Sequence, residues 1–437
     1  MGPRSIALRT YQVGFGDCFL LTFGYEQEER HVLIDFGTTS LPKGYPGDHM
    51  VRVAGNIRER CGGKLHAVVA THRHRDHIGG FTTEGQAPGR IIAECDPEVV
   101  IQPWTEDPEA ELDAKAPTRV RAFRQSLHAM HEFAAAALKQ LGSMPYLPAR
   151  MREELQFIGE DNLPNLSAVR NLQAMGKSRI YAHAGSVSGL EGVLPGVQVN
   201  VLGPPTLEQS ETIRRMRSTD PGEFWHLRAR YWGFAAEAAA TAAGAPLFPG
   251  RPSEEMPVPF QWLKRRMREM RGEELLELVR ALDRALNNTS LILLFSAGGR
   301  KLLFPGDAQI ENWAYALEQE ETRALLEDVD VYKVGHHGSL NATPKTLWGW
   351  FRKRSAEESP ERLRAIVSTM HGKHGSEERK TEVPRRTLVQ ALRRETTYFT
   401  TASLTEPEKF FEDLTLELAV KPVKKRRVPR KRRIQNA

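Results

Sequence analysis

Four side chains that commonly bind metal ions lie within residues 71–80 of this sequence: His72, His74, Asp76 and His77. An apolar run, residues 65–70, comes directly before them and predicts a buried strand that ends at this point. Side chains alternate in an extended segment, so His72 and His74 point the same way. These two histidines can therefore bind one metal ion.

The second half of the same stretch offers a carboxylate and another imidazole where the chain is expected to turn. We expect Asp76 to cap a helix that begins near Ile78, which would direct Asp76 and His77 at a second ion beside the first. Three histidines and an aspartate at these offsets arise by chance on the order of once in a thousand such sequences. The spacing indicates a two-metal hydrolase.

Other predicted elements end in polar side chains that can complete such a site. A hairpin over residues 5–23 turns through Gly14 and Gly16, from which Asp17 can project. A strand pair over residues 287–307 ends in Gly306-Asp307. A short buried strand, residues 329–334, is followed by the pair His336 and His337, shortly before a further strand at 365–370 and a helix at about 384–394.

The arrangement of residues 72–77 resembles the His-x-His-x-Asp-His signature of the metallo-β-lactamase superfamily. Six segments in one order are similar to the metallo-hydrolase domain of ComEC-type competence proteins: GFGDC (14–18), HRHRDHIGG (72–80), VLGPP (201–205), NTSL (288–291), FPGD (304–307) and KVGHHGS (333–339). The similarity covers about residues 5–105, 180–205 and 285–420. It implies an α/β fold, a four-layer αβ/βα sandwich whose metal ligands lie at one edge of two facing sheets.

The resemblance also implies a ligand set. His72 and His74 would bind one ion, Asp76 and His77 the other, and Asp307 would bridge them.

His337 is expected as the last ligand because the His-Gly-Ser triplet matches the superfamily position, which leaves His336 as a nearby acid; the reverse assignment of these two histidines stays open. Asp35, at the end of the third strand, is expected to hydrogen-bond beneath the metal loop rather than to bind metal.

One superfamily ligand is absent from its usual place. Many members supply a histidine before the strand that begins here at Ser290, whereas this chain has Asn287 and Asn288. Coordination that is richer in oxygen relaxes the preference for zinc and leaves room for manganese. Two divalent ions, zinc in the first place and manganese as the alternative, are therefore the expected cofactors.

The length of 437 residues fits one large α/β unit. We predict a metallo-β-lactamase-like domain over residues 1–420, with helical insertions at about 105–180 and 206–286. No apolar run is long enough for a membrane span, and the three cysteines are too scattered for a disulfide framework. These features predict a cytoplasmic protein without membrane contact.

The net charge of +6 comes from the end of the chain. Residues 421–437 contain nine lysines and arginines and no acidic residue, and the rest of the chain has 52 basic and 55 acidic residues. A run of like charges cannot bury apolar area, so this basic tail is expected to be disordered. It is typical of segments that bind nucleic acid through phosphates, although a solubility tail or a contact for an acidic partner protein would look the same.

The function predicted from these features is metal-dependent hydrolysis by a metal-bound hydroxide, most simply by a phosphodiesterase or nuclease that acts on nucleic acid. Asp76 would orient the hydroxide and His336 would protonate the leaving oxygen. One alternative is hydrolysis of a small ester, lactone or lactam. The other is a non-catalytic binding protein that keeps the fold as a scaffold.

Overall fold

A computed structural model describes residues 2–107, 166–206, 209–210, 287–341, 343–373 and 382–419 of the chain. These residues form two mixed β-sheets with helices, which is the architecture of an α/β sandwich. The predicted basic tail 421–437 and most of the two predicted insertions lie outside the described residues. Among the described residues, no helix is long and apolar enough to cross a membrane.

The first sheet has seven strands in the order β13-β1-β2-β3-β4-β5-β6. Antiparallel pairing joins β13, β1, β2 and β3, and parallel pairing joins β3 to β6. The strands of this sheet are β1 (Ser5–Tyr11), β2 (Cys18–Gly24), β3 (Glu29–Phe36), β4 (Ala67–Val69), β5 (Val99–Pro103), β6 (Ser178–Ala182) and β13 (Phe411–Glu417).

The second sheet has six strands in the order β12-β11-β10-β9-β8-β7. Here β7, β8 and β9 pair antiparallel, and β9 to β12 pair parallel. Its strands are β7 (Gln198–Gly203), β8 (Ile292–Ala297), β9 (Arg300–Phe304), β10 (Val331–Lys333), β11 (Arg364–Val367) and β12 (Thr397–Thr400).

The α-helices lie in the connections between strands. They are α1 (His49–Arg60), α2 (Arg75–Ile78), α3 (Pro88–Ala93), α4 (Leu166–Ala174), α5 (Ile310–Glu318), α6 (Glu320–Leu326), α7 (Lys345–Trp350) and α8 (Arg386–Glu395). A short 3₁₀ turn, Gly79–Phe81, follows α2, and others follow strands, at Trp104–Glu106, His336–Gly338 and Thr401–Ser403.

Alternation along the strands divides the apolar residues between three clusters. In β3, Val32 and Ile34 belong to a central cluster that also holds residues of the second sheet, such as Phe295 and Phe304. Leu33, which points the other way, packs with residues of α1, α3 and α4. Side chains at successive strand positions face opposite sides, so each strand of this kind contributes to two cores.

The outer face of the second sheet is covered in the same way. Trp313 of α5, Leu326 of α6 and Leu392 of α8 pack with the strand residues that point away from the central cluster. Helices therefore cover the outer face of each sheet, and the two sheets face each other. The mixed α/β class that the sequence predicts is confirmed.

Several predicted elements are confirmed within a few residues, including the first hairpin, the strand pair β8–β9 and the helix α8. The sequence prediction missed β5 and extended the first helical insertion to about residue 180, whereas β6 begins at Ser178. The preceding helix α4 also packs against the first sheet, through Ala168 and Leu172. Residues 166–180, which the sequence predicted as part of the insertion, thus belong to the sandwich.

Parallel strands bring their carboxyl ends to one edge, and both sheets do this at the same place. In the first sheet, β3 and β4 end at this edge. Asp17 lies at the same edge, because it directly precedes β2 and β2 runs antiparallel to β3. In the second sheet, β9 and β10 end there. The backbone N–H of Leu291 donates to the carbonyl oxygen of Thr71 at 2.9 Å, so this edge is also where the sheets meet.

Gly37 provides a test of how tightly this edge is packed. A Cβ at Gly37 would lie 2.4 Å from the backbone nitrogen of His77. We expect Gly37→Ala to lower the free energy of unfolding by about 1–3 kcal/mol, because the backbone at Asp76 and His77 has to shift. Chemical denaturation measures the free energy of unfolding of the variant and of the wild type.

Gly55→Ala is the matched control, since Gly55 is exposed in α1 with open space around its Cα. We expect Gly55→Ala to raise the free energy of unfolding by about 0.5–1 kcal/mol, because alanine makes the unfolded chain less flexible. Equal stability of the two variants would contradict the packing described for this edge.

Candidate metal centre

Two overlapping groups of metal-binding side chains lie at the edge where the sheets meet. The first group is His72, His74 and Asp76, and the second group is Asp76, His77, Asp307 and His337. Within each group, one ligand atom per residue lies within 4.8 Å of the others, and every member is buried. These buried groups could hold metal ions, and Asp76 is the residue that they share.

The loop after β4, residues 70–77, leaves the strand in an extended conformation and then forms a single helical turn. His74 has extended backbone angles and precedes α2, which begins at Arg75. The expectation that Asp76 caps a helix starting near Ile78 is therefore wrong, because Asp76 lies inside the first turn. Its carbonyl oxygen accepts a hydrogen bond from the N–H of Asp17 at 2.9 Å, and its carboxylate faces the site.

His72 and His74 point the same way, as alternation predicts. The Nε2 atom of His72 lies 2.9 Å from the Nδ1 atom of His74. Burial lowers the pKa of His72 well below its ordinary value, and the neighbouring imidazoles of His77 and His74 lower it further. His72 is therefore neutral at physiological pH, which is the form of histidine that binds a metal ion.

His77 is held from behind by Asp35. Its Nδ1 atom donates to Oδ2 of Asp35 at 2.8 Å, and Asp35 also accepts hydrogen bonds from the backbone and hydroxyl of Thr71. This fixes the imidazole so that Nε2 faces Oδ2 of Asp307 at 3.2 Å. A carboxylate behind a histidine in this way orients metal-binding imidazoles and makes them more basic.

The loop after β10 separates the two adjacent histidines. The Nδ1–H of His337 donates to the carbonyl oxygen of Ser368 at 2.9 Å, and its Nε2 atom lies 2.8 Å from Oδ2 of Asp76. His336 is half-buried and turns away, with Nδ1 2.8 Å from Oγ of Ser339. The structure brings His337, not His336, into the second group.

In the absence of a metal ion, burial and the neighbouring carboxylates act in opposite directions on the pKa values of His337 and His77. Burial would lower the pKa of His337, but Asp307 and Asp76 raise it above its ordinary value. The pKa of His77 is raised for the same reason, with Asp307 and Asp76 outweighing the effect of burial. A metal ion would compete with protons at these imidazoles, so acid conditions oppose binding.

The charge of the buried cluster favours cations. Four fully buried carboxylates lie within it: Asp17, Asp35, Asp76 and Asp307. The buried ammonium of Lys333 neutralises one of these charges. Oδ1 of Asp76 is buried and has no hydrogen-bond partner among the described residues. Such atoms are costly unless they meet a cation, so the cluster fits divalent metal ions.

Of the two asparagines before β8, Asn288 contacts helix α5. The side-chain amide of Asn288 donates to Oε2 of Glu311 at 3.0 Å, and its oxygen accepts from the N–H of Asn312 at 3.4 Å. Asn288 therefore binds to α5. Among the described residues, the histidines of the two groups are His72, His74, His77 and His337.

Three further residues shape the centre, and the sequence motifs did not predict them. Thr71 binds Asp35 through its backbone and hydroxyl, and the carbonyl oxygen of Ser368 orients His337. Lys333 is 1% exposed and forms an ion pair with Asp17. The signal for Lys333 was present, since a lysine inside an otherwise apolar strand requires a buried partner.

The chain matches no protein-family model, and no curated protein matches its sequence.

Replacing each adjacent histidine in turn tests the ligand set. Removing the hydrogen-bond partner of a metal ligand typically weakens metal binding roughly 10–100-fold. We expect His337→Asn, which removes a ligand itself, to weaken binding of one ion by more than this. His336→Asn is expected to retain both ions, because His336 lies outside the groups. Elemental analysis after dialysis against a defined free metal concentration measures both variants. Loss of an ion from His336→Asn alone would reverse the assignment.

Proposed function

We propose that this protein is a metal-dependent phosphodiesterase that acts on nucleic acid, built on a metallo-β-lactamase sandwich. One observation carries the proposal: two buried ligand groups share Asp76 at the edge where two facing sheets meet. A pair of adjacent metal sites is typical of enzymes that cleave phosphate esters. The order of the sequence motifs supports the same family.

Two divalent ions bound there would act as Lewis acids that activate a water molecule and neutralise charge on the phosphate. The chain's own groups have separate tasks. The carboxylate of Asp76, which lies 2.8 Å from Nε2 of His337, would orient the attacking water. The residues that would hold the ions are His72, His74, Asp76, His77, Asp307 and His337.

The proposed acid is His336. It is half-buried beside the centre, and its backbone N–H donates to Oδ1 of Asp307 at 3.0 Å. Ser339 and Gln309 contact Nδ1 of the ring, at 2.8 and 3.5 Å. These contacts fix an imidazole that can deliver a proton to the leaving oxygen.

The two groups differ in their preferred metal. Two imidazoles and one carboxylate, as in the first group, suit zinc. The second group has two carboxylates and two imidazoles, which allows manganese as well. We propose zinc as the first choice for the centre and manganese as the alternative.

A small-molecule ester hydrolase is the second candidate, and a feature next to His336 favours it. Ile310 is 45% exposed and Leu340 is 68% exposed, and each follows a residue that contacts His336. Large apolar side chains beside a site attract apolar parts of a substrate. A lactone or ester with an apolar chain would use these contacts.

Cleavage assays with Asp76→Asn test the reaction class. We expect the wild type to cut single-stranded DNA, double-stranded DNA or RNA with zinc or manganese, and Asp76→Asn to lose at least about a hundredfold in rate. Asp413→Asn is the control, because Asp413 lies on β13 and pairs with Arg9 at the surface. Absence of cleavage by the wild type, or equal rates in wild type and Asp76→Asn, would refute the phosphodiesterase proposal.

Removing the basic tail tests the substrate class. A chain of residues 1–420 is expected to bind nucleic acid at least about tenfold more weakly at low salt and with a smaller salt dependence, since fewer counterions are released. Hydrolysis of a small uncharged ester, or of a small phosphodiester, should not change. If the truncated and full-length chains act on DNA with the same KM at every salt concentration, the tail has no part in substrate binding.

A further inference from the structure

A third group of ligating side chains lies behind the two groups described above. Asp17, Asp35 and His77 each offer one atom within 4.8 Å of the others, and all three are buried. Oδ2 of Asp17 is 3.7 Å from Nδ1 of His77. By ligand type alone, this group is also suited to a metal ion.

The ammonium of Lys333 lies against this third group. Its Nζ atom pairs directly with Oδ2 of Asp17. It also lies 3.1 Å from the carbonyl oxygen of Gly306 and 3.4 Å from Oδ1 of Asp307. Three oxygen atoms from two segments, Asp17 and the pair Gly306-Asp307, thus surround one positive charge. This is the kind of environment that a hard metal cation prefers.

Asp17 cannot move away from this position. Its backbone N–H donates to the carbonyl oxygen of Asp76 at 2.9 Å, and its carbonyl oxygen accepts from the N–H of Gly37 at 3.1 Å. Gly16, just before it, is so close to the backbone of residue 37 that a Cβ would lie 2.3 Å from that carbonyl oxygen. The buried carboxylate therefore needs a cation where it stands.

We propose that Lys333 is a built-in cation that takes the place of a third metal ion, and that it limits the centre to two ions. Its ammonium neutralises Asp17 and helps to position Asp307, so Lys333 is a positioning residue rather than a metal ligand. Asp17 consequently binds lysine and not metal. This inference rests on the proposed two-ion centre.

Counting bound metal in Lys333→Met tests the proposal. Methionine has a similar length and no charge, so the variant leaves Asp17 without its cation. We expect Mn²⁺ bound per chain to rise from two in the wild type to three in Lys333→Met, by elemental analysis after equilibrium dialysis. Lys301→Met is the matched control, because Lys301 is on β9 and its Nζ contacts carbonyl oxygens of α6. It should bind two ions.

A second pair of variants covers the case in which Lys333→Met does not fold. Asp17→Asn leaves the ammonium of Lys333 without its partner, so we expect Mn²⁺ to bind at least about tenfold more weakly because of charge repulsion. The double variant Asp17→Asn/Lys333→Met removes both charges and should restore wild-type affinity and two ions, as measured by titration calorimetry.

The outcomes separate the two proposals. Two ions in folded Lys333→Met, or a double variant that binds no better than Asp17→Asn, would overturn the role of Lys333. A wild type that binds no metal would instead overturn the proposed function.

Discussion

A carboxylate that is buried among apolar side chains must be matched by a cation or by hydrogen-bond donors, and this requirement governs the edge where the two sheets meet. Four aspartates are fully buried there, at positions 17, 35, 76 and 307. Asp35 is matched by donors from Thr71 and His77, and Asp17 by Lys333. Asp76 and Asp307 face histidines, and metal ions would balance them.

The sandwich is arranged so that this concentration of charge can exist inside a folded protein. Each sheet has a parallel half whose strands end at the shared edge, and apolar clusters cover both faces of the strands. Glycines let the backbones of the loops approach each other, as where Gly37 meets the backbone of Asp76 and His77. The candidate ligands therefore lie in loops and turns that follow rigid strands.

The same interactions connect the proposed chemistry to the rest of the chain. Asp76 is fixed by His337 from the second sheet and by the backbone of Asp17 from the first, so its orientation depends on both sheets. His336, next to His337 in sequence, is half-buried and lies outside both ligand groups, and Ser339 and Gln309 contact its ring. One loop thus supplies a residue that faces the buried charges and the residue that we propose as the acid.

The sequence by itself determined the local features, because they depend on spacing along the chain: the alternation that aligns His72 with His74, the strands that lead to Asp35 and Asp307, and the mixed α/β class. Only the tertiary structure decided which groups meet. It joined Asp76 to His337, across 261 positions, turned Asn288 toward α5, and matched Lys333 with Asp17. Such contacts depend on how two sheets pack, and no periodicity in one segment records the position of another.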